Sequence, residues 1–217
     1  LEFKRVLFRS ALNTLGISAS DVDASSSITG YAIVANAANA STQGVWQYST
    51  NSGSNWFAIG SVTDGSTALA LSASTLIRFL PVGDYNGTPG SLTFRALDNS
   101  YSGSFSTTAG SEVRATVNTT TNGGTTAISA ATATISTSIT AVNDAPVLTL
   151  GGTLAAVNED TASPSGAALN TLGISASDVD ASSSIAGYAI VANAANASTQ
   201  GVWQYSTNSG SNWFAIE

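Results

Sequence analysis

From residue 11 onward, apolar and polar positions alternate in short runs, and the three-to-four spacing of an amphipathic helix is almost nowhere to be found. The runs at 30–35 (GYAIVA), 44–50 (GVWQYST), 55–59 (NWFAI), 67–72 (TALALS), 75–81 (TLIRFLP) and 91–97 (SLTFRAL) are separated by clusters of Gly, Asn, Asp and Ser. They are rich in β-branched and aromatic residues, so they are predicted to be strands joined by turns. Their number and spacing predict a β-sandwich. A longer run, 127–142, is predicted as a last strand. Its isoleucines at 128, 135 and 139 change parity once, which implies a bulge or bend between Ile128 and Ile135. Trp46 and Tyr48 share one strand face and are read as core rather than as a platform for sugar.

A repeat sets the organisation. Residues 11–59 recur at 168–216 with one difference in 49 positions, Thr29 against Ala186, so the period is 157 residues. A period of that length predicts beads with their own cores, not solenoid turns. Copy one has no counterpart of residues 144–167, and copy two stops where copy one continues into GSVTDGSTALALS. The expectation is a fragment of a longer tandem array with both beads incomplete: one bead over 11–142 that lacks its first strand, a linker at 143–147, and the first half of the next bead over 148–217. The joint reads SITAVNDAPVLTL, and Pro146 stiffens it by fixing its own φ and pushing Ala145 toward an extended conformation. Residues 1–10, LEFKRVLFRS, resemble the translation of a common sequencing adapter and are read as non-native.

Composition narrows the chemistry. With 43% hydrophobic and 9% charged residues over 217 positions, the chain can bury a core, which argues against disorder. It contains no Cys, Met or His, so disulfides, thiolates, imidazole bases and nitrogen or sulfur metal sites are all excluded. Oxygen chemistry remains. Past residue 10 there are three arginines (Arg78, Arg95, Arg114), no lysine and twelve acidic residues, a net charge of minus nine. No basic stripe is present to displace phosphate counterions, so no nucleic-acid partner is expected. No apolar run reaches the roughly 18 residues of a membrane helix, so no membrane insertion is expected either.

The acidic residues gather at turns and at the joint: Asp21 with Asp23, Asp84, Asp98, Asp144, Glu159 with Asp160, and Asp178 with Asp180. In a sandwich, turns collect at the two poles, and in an array the poles face neighbouring beads. The D-V-D pairs at 21–23 and 178–180 are not EF-hand loops, because Ser26 and Ala32 stand where Gly and a bidentate Glu belong. Two carboxylates on one side of an extended segment nevertheless repel, and a hard cation relieves that cost; the alternative is a solvated turn. The segment S-T-N-S-G-S-N-W at 49–56 and 206–213 resembles the Asp-box pattern of sialidases and is read as a hairpin. The polar stretch 99–124 is expected to be an extra hairpin or solvated insertion; the alternative is a variable, ligand-contacting lobe.

In this order the motifs resemble a known family. ISASDVDASSSIAGYAIV resembles the cadherin pattern of strand, D-x-D, loop and Y-x-I. FRALDNS resembles its A-x-D, AVNDAPV its D-x-N-D-N-x-P linker, and VNED its early glutamate segment. RFLPVGDYNGTPGSLTFRALD resembles the P-x-x-x-x-N-G segment of bacterial cadherin-like tandem repeats of giant surface adhesins. The resemblance covers residues 11–217. It implies Ig-like or cadherin-like Greek-key sandwiches and calcium (Ca2+) at the junctions between beads. For the junction within this chain it implies ligands from Asn143, Asp144, Asp178 and Asp180. Asp21, Asp23 and Asp98 would serve the preceding junction, and Glu159 with Asp160 would point toward the following one. The stretch TALALSASTLIRF has no counterpart of the cadherin L-D-R-E motif, which leaves fewer carboxylates for each junction.

The expected function is therefore non-enzymatic: an extracellular, cell-surface spacer of a bacterial adhesin in cell adhesion or biofilm formation, with neighbouring repeats of the same chain as partners. One alternative is a module that grips a cell-surface glycan or protein. Another is a glycosidase whose paired carboxylates are Asp84 and Asp98, against which the near-verbatim repeat argues.

Overall fold

Strands form where alternating side chains find partners on both sides, and one part of the chain meets that condition far better than the other. The computed structural model describes residues 10–17, 19, 26–180 and 183–217. The chain divides into two compact units, Leu1–Ala141 and Val142–Glu217. The first contains β1 (Ser10–Ala11), β2 (Ile28–Asn36), β3 (Gly44–Ser49), β4 (Phe57–Ala58), β5 (Ala68–Ser72), β6 (Leu76–Pro81), β7 (Leu92–Asp98), β8 (Thr116–Val117) and β9 (Ala133–Ile135). The second contains β10 (Val147–Leu150), β11 (Ser175–Ser177), β12 (Gln204–Tyr205) and β13 (Phe214–Ala215). Among the described residues every strand pairing is antiparallel, and the helical content is two short 3₁₀ turns, Leu12–Thr14 and Leu169–Thr171. The protein is all-β.

In the first unit two sheets form, a four-stranded one in the order β1-β6-β3-β4 and a five-stranded one in the order β8-β5-β2-β7-β9. Alternate residues of each face inward. Tyr31, Ile33, Leu69, Leu71, Leu92 and Phe94 from the larger sheet meet Trp46, Tyr48, Ile77 and Phe79 from the smaller in one buried cluster. Edge-to-face contacts, Tyr31 with Phe94 at 5.3 Å and Trp46 with Phe79 at 5.2 Å, add specificity to the area they bury. Trp46 and Tyr48 are core. The arrangement is sandwich-like.

The larger sheet is covered on its other face as well. Ala32, Val34, Ala68, Ala70 and Leu97 point away from the first cluster and pack beneath Val117, Ile128, Tyr101, Phe105 and Ala115. The polar stretch after β7 is thus a folded cover rather than a solvated insertion, and it includes the expected extra hairpin, in which the Thr107 and Val113 N–H groups each donate to the other's carbonyl at 2.9 Å. It supplies β8 and prolongs the ladder along the free edge of β5, where the Ser106 N–H donates to the Ala70 carbonyl at 2.9 Å and the Ala70 N–H to the Ala115 carbonyl at 3.0 Å. Small side chains on this face let the cover come close. At Gly30 an added Cβ would lie 2.3 Å from a ring carbon of Phe105 and 2.5 Å from the Leu71 carbonyl oxygen.

Burial on both faces also accounts for the isoleucine parity. Ile128 belongs to the outer cluster, whereas Ile135 and Ile139 belong to the inner one. The irregularity expected between Ile128 and Ile135 is present, and the regular strand within 127–142 is confined to Ala133–Ile135. Ile128 bridges Leu97 and Ala133 pairs with Phe94, so residues 129–132 oppose only Arg95 and Ala96.

The second unit contains the 49-residue sequence with Ala186 in place of Thr29 and folds it differently. Residues 185–193, which repeat β2 apart from Ala186, form no strand, and the counterpart of β3 shrinks to Gln204–Tyr205. Local structure survives. The 3₁₀ turn recurs, and the Asn208 Oδ1 acceptor for the Asn212 N–H matches Asn51 and Asn55 at the same 3.0 Å. The Asn196–Gln200 turn likewise repeats Asn39–Gln43. What fails is long-range pairing: β5, β6 and β7 have no second copy within the 217 residues.

Candidate functional site

Backbone geometry gathers the linker and the D-V-D segment within the second unit. Pro146 follows Ala145, and the chain then enters β10, which pairs with β11 through Val147–Ser177 and Leu148–Ala176. That pairing sets the end of β11, and Asp178–Asp180 just beyond it, beside Asp144. The Asp144 N–H donates to the Asp180 carboxylate at 2.9 Å, and the Asp180 N–H donates to Asp178 Oδ1 at 2.9 Å. The Asn143 amide donates to the Asp144 carbonyl at 2.7 Å. Asp144, Asp178 and Asp180 are each half-buried, while Val179 is exposed, and the Asp180 N–H bond to Asp178 closes the D-V-D segment into a local turn.

The remaining acidic candidates lie elsewhere. Glu159 and Asp160 are exposed at a turn in which Asp160 adopts a positive φ of 61°. Asp98 ends β7 and is closed into a local turn, its carboxylate accepting from the Ser100 N–H at 2.7 Å and the Ser100 hydroxyl at 2.6 Å. A cleft of about 560 Å³ opens beside it, walled mainly by apolar side chains including Ile17, Ile28, Phe94 and Ile128. Asp21 and Asp23 lie outside the described residues. Asp84 sits on the loop before β7 and Asp98 at its far end. The strand between them spans about 20 Å at ~3.3 Å per residue, whereas two-carboxylate glycoside hydrolysis needs roughly 5–9.5 Å.

Around the linker the available donors are oxygens: the carboxylates of Asp178 and Asp180, the side-chain carbonyl of Asn143 and neighbouring backbone carbonyls. That set matches the preference of a hard cation in kind. In number it is sparse. Among the described residues no group of three or more acidic side chains is arranged to hold a metal ion. A cation here would draw most of its six to eight oxygens from amide carbonyls and water rather than from carboxylates.

The first unit also builds two polar nodes. Asp64 receives a bidentate pair from Arg95, at 3.0 and 2.7 Å, and the Thr119 hydroxyl at 2.6 Å. The Arg95 guanidinium, followed by the Thr119 hydroxyl, holds the Asp64 carboxyl down at about 2. At the second node the Tyr48 hydroxyl donates to Glu112 at 2.6 Å, and Arg114 pairs with the same carboxylate at 3.4 Å. Burial, then Glu112, pushes the Tyr48 phenol well above the ordinary tyrosine range. Both nodes fasten the cover to the sandwich. Among the described residues no buried side-chain polar atom is left without a partner. The one sequence signal for them was an isolated acid (Asp64, Glu112) in a chain whose other acids cluster at turns and the joint.

Comparison of the chain with protein-family models, with curated proteins and with solved structures returns no match.

Proposed function

We propose that this chain is a non-enzymatic spacer from an extracellular bacterial adhesin, built of cadherin-like beads whose junctions are stiffened by calcium. The supporting observation is the hydrogen bond from the Asp144 N–H in the linker to the Asp180 carboxylate of the D-V-D pair, which sets linker oxygens beside two half-buried carboxylates. Asp178, Asp180, Asn143 and adjacent carbonyls would hold the ion. Its contribution is to offset the repulsion between Asp178 and Asp180 and so fix the linker against the segment that follows β11. The oxygen-only donor set, the absence of His and Cys, and a net charge of minus nine past residue 10 agree with this reading. A glycan platform built on Trp46 and Tyr48 has no support, because both rings are in the core.

The test is a pair of thermal melts, in millimolar calcium and in chelator, together with a calorimetric titration. At a hundredfold excess over its dissociation constant, the ion is expected to stabilise the form that binds it by about 2.7 kcal/mol. The double substitution of Asp178 and Asp180 by Ala is expected to remove the difference. Equal midpoints in calcium and chelator, with no heat of binding, would overturn the proposal.

A further inference from the structure

The smaller sheet turns Trp46, Tyr48, Ile77 and Phe79 inward, so Val45 and Gln47 of β3 share its outer face with Leu80 and Arg78, their opposite numbers on β6. Trp56, from the hairpin after β3, lies against Arg78, with the guanidinium carbon 4.1 Å from the ring centroid. The Arg78 Nε donates to Gln47 Oε1 at 2.7 Å, and the Trp56 indole N–H donates to the Gly53 carbonyl at 2.9 Å. Both groups are therefore fixed before any ligand arrives. The two terminal nitrogens of Arg78 have no partner among the described residues. The other two arginines past residue 10 are matched by acids, Arg95 by Asp64 and Arg114 by Glu112. Burial holds the Arg78 guanidinium below the ordinary arginine value, whereas Asp64 lifts Arg95 above it. Arg78 is thus a half-buried, oriented cation that no acid neutralises among the described residues.

We propose that Arg78, held by Trp56 and Gln47, binds the carboxylate of an acidic sugar, a hexuronate ring carrying one negative charge, on the outer face of the smaller sheet. The fork selects the anion: two N–H donors side by side match the two oxygens of a carboxylate, and a partly desolvated cation without a counter-charge gains most from receiving one. Net charge limits the ligand to a single anionic group. Past residue 10 the chain carries minus nine, so a polyanion is repelled by the rest of the surface and a ligand with one charge is not. The neighbours favour a sugar as the neutral body. Val45 and Leu80, half-buried on the same face, offer apolar area to the C–H side of a ring. The Gln47 carboxamide nitrogen, which has no partner among the described residues, offers a donor to a ring hydroxyl. None of these residues belongs to the linker or the D-V-D pair, so binding is independent of calcium. An open site with one ion pair gives a dissociation constant on the order of millimolar.

The test is a titration of the nitrogen-labelled full chain with glucuronate in calcium-free buffer, at ionic strength held constant with sodium chloride, followed by magnetic resonance. The Arg78 Nε–H and Trp56 indole N–H signals should shift together and saturate. The Trp46 indole N–H, which donates to the Gly90 carbonyl at 2.8 Å in the interior, should stay in place and reports that the fold is intact. Glucose, which lacks the carboxylate, should produce no shift, and acetate, which lacks the ring, should bind about fivefold more weakly. Arg78→Gln should abolish the response. Arg78→Lys keeps a cation beside Trp56 but loses the fork, and should weaken glucuronate binding about fivefold. No saturable shift by about 50 mM glucuronate overturns the proposal, given the expected millimolar constant. So does acetate binding as tightly as glucuronate, a response that survives Arg78→Gln, or a glutamate-rich peptide that binds more tightly than the sugar.

Discussion

Tyr48 and Tyr205 occupy the same position in identical sequence, yet one is fully buried with its hydroxyl on Glu112 and the other is half exposed. Removing the hydroxyl from Tyr48 deletes a hydrogen bond to a charged acceptor, so Tyr48→Phe is expected to lower the stability of the first unit by about 2 kcal/mol. Tyr205→Phe should stay within about 0.5 kcal/mol. Urea unfolding of the two variants checks the pair, and equal effects would contradict the distinct environments. Asp64 adds a pH dependence. Its carboxyl titrates near 3.8 when unfolded and about 2 when folded, so its contribution is present above pH 3.8 and lost as the pH falls through 2. The Asp64 side chain is 43% exposed, which confines the contribution to about 1 kcal/mol or less. Asp64→Asn should flatten the fall in urea midpoint between pH 4 and pH 2; an unchanged slope would assign that fall to other carboxylates.

At the scale of elements, the predicted runs at 30–35, 44–50, 67–72, 75–81 and 91–97 correspond to β2, β3, β5, β6 and β7. They were legible because period-two burial and Gly or Asn turns are written locally. The hairpin after β3 was legible for the same reason: the Asn51 side chain organises its own turn wherever the sequence occurs. The role of the cover was not legible. Ala32, Ala68 and Ala70 become core only because Phe105, Val117 and Ile128 come back over them, and nothing local announces that return. At the linker, spacing made the D-V-D pair visible, whereas the bond from Asp144 depends on how β10 registers against β11. Gly30 tests the cover as an element. Gly30→Ala places a methyl group against the Phe105 ring and the Leu71 carbonyl, and overpacking of this kind costs roughly 1–3 kcal/mol. Trypsin should then cut after Arg114, within the cover, faster than in the parent chain. Gly187→Ala, with open space at that Cβ, should leave the digest unchanged.

For the whole molecule, two nearly identical sequences in two environments form an internal control on how much of a strand is local. Residues 28–36 have neighbours on both sides in β5 and β7, and their amides are released only when the unit opens. Residues 185–193 carry the same propensities and the same turns without those neighbours. In dilute monomer, hydrogen exchange at residues 30–36 should be slowed by a factor set by the stability of the first unit, while residues 187–193 should exchange near the rate of an unstructured chain. Peptides that include Thr29 or Ala186 differ in mass, so the two copies can be read separately. Equal protection in dilute solution would mean that the second copy finds its pairing without a partner strand.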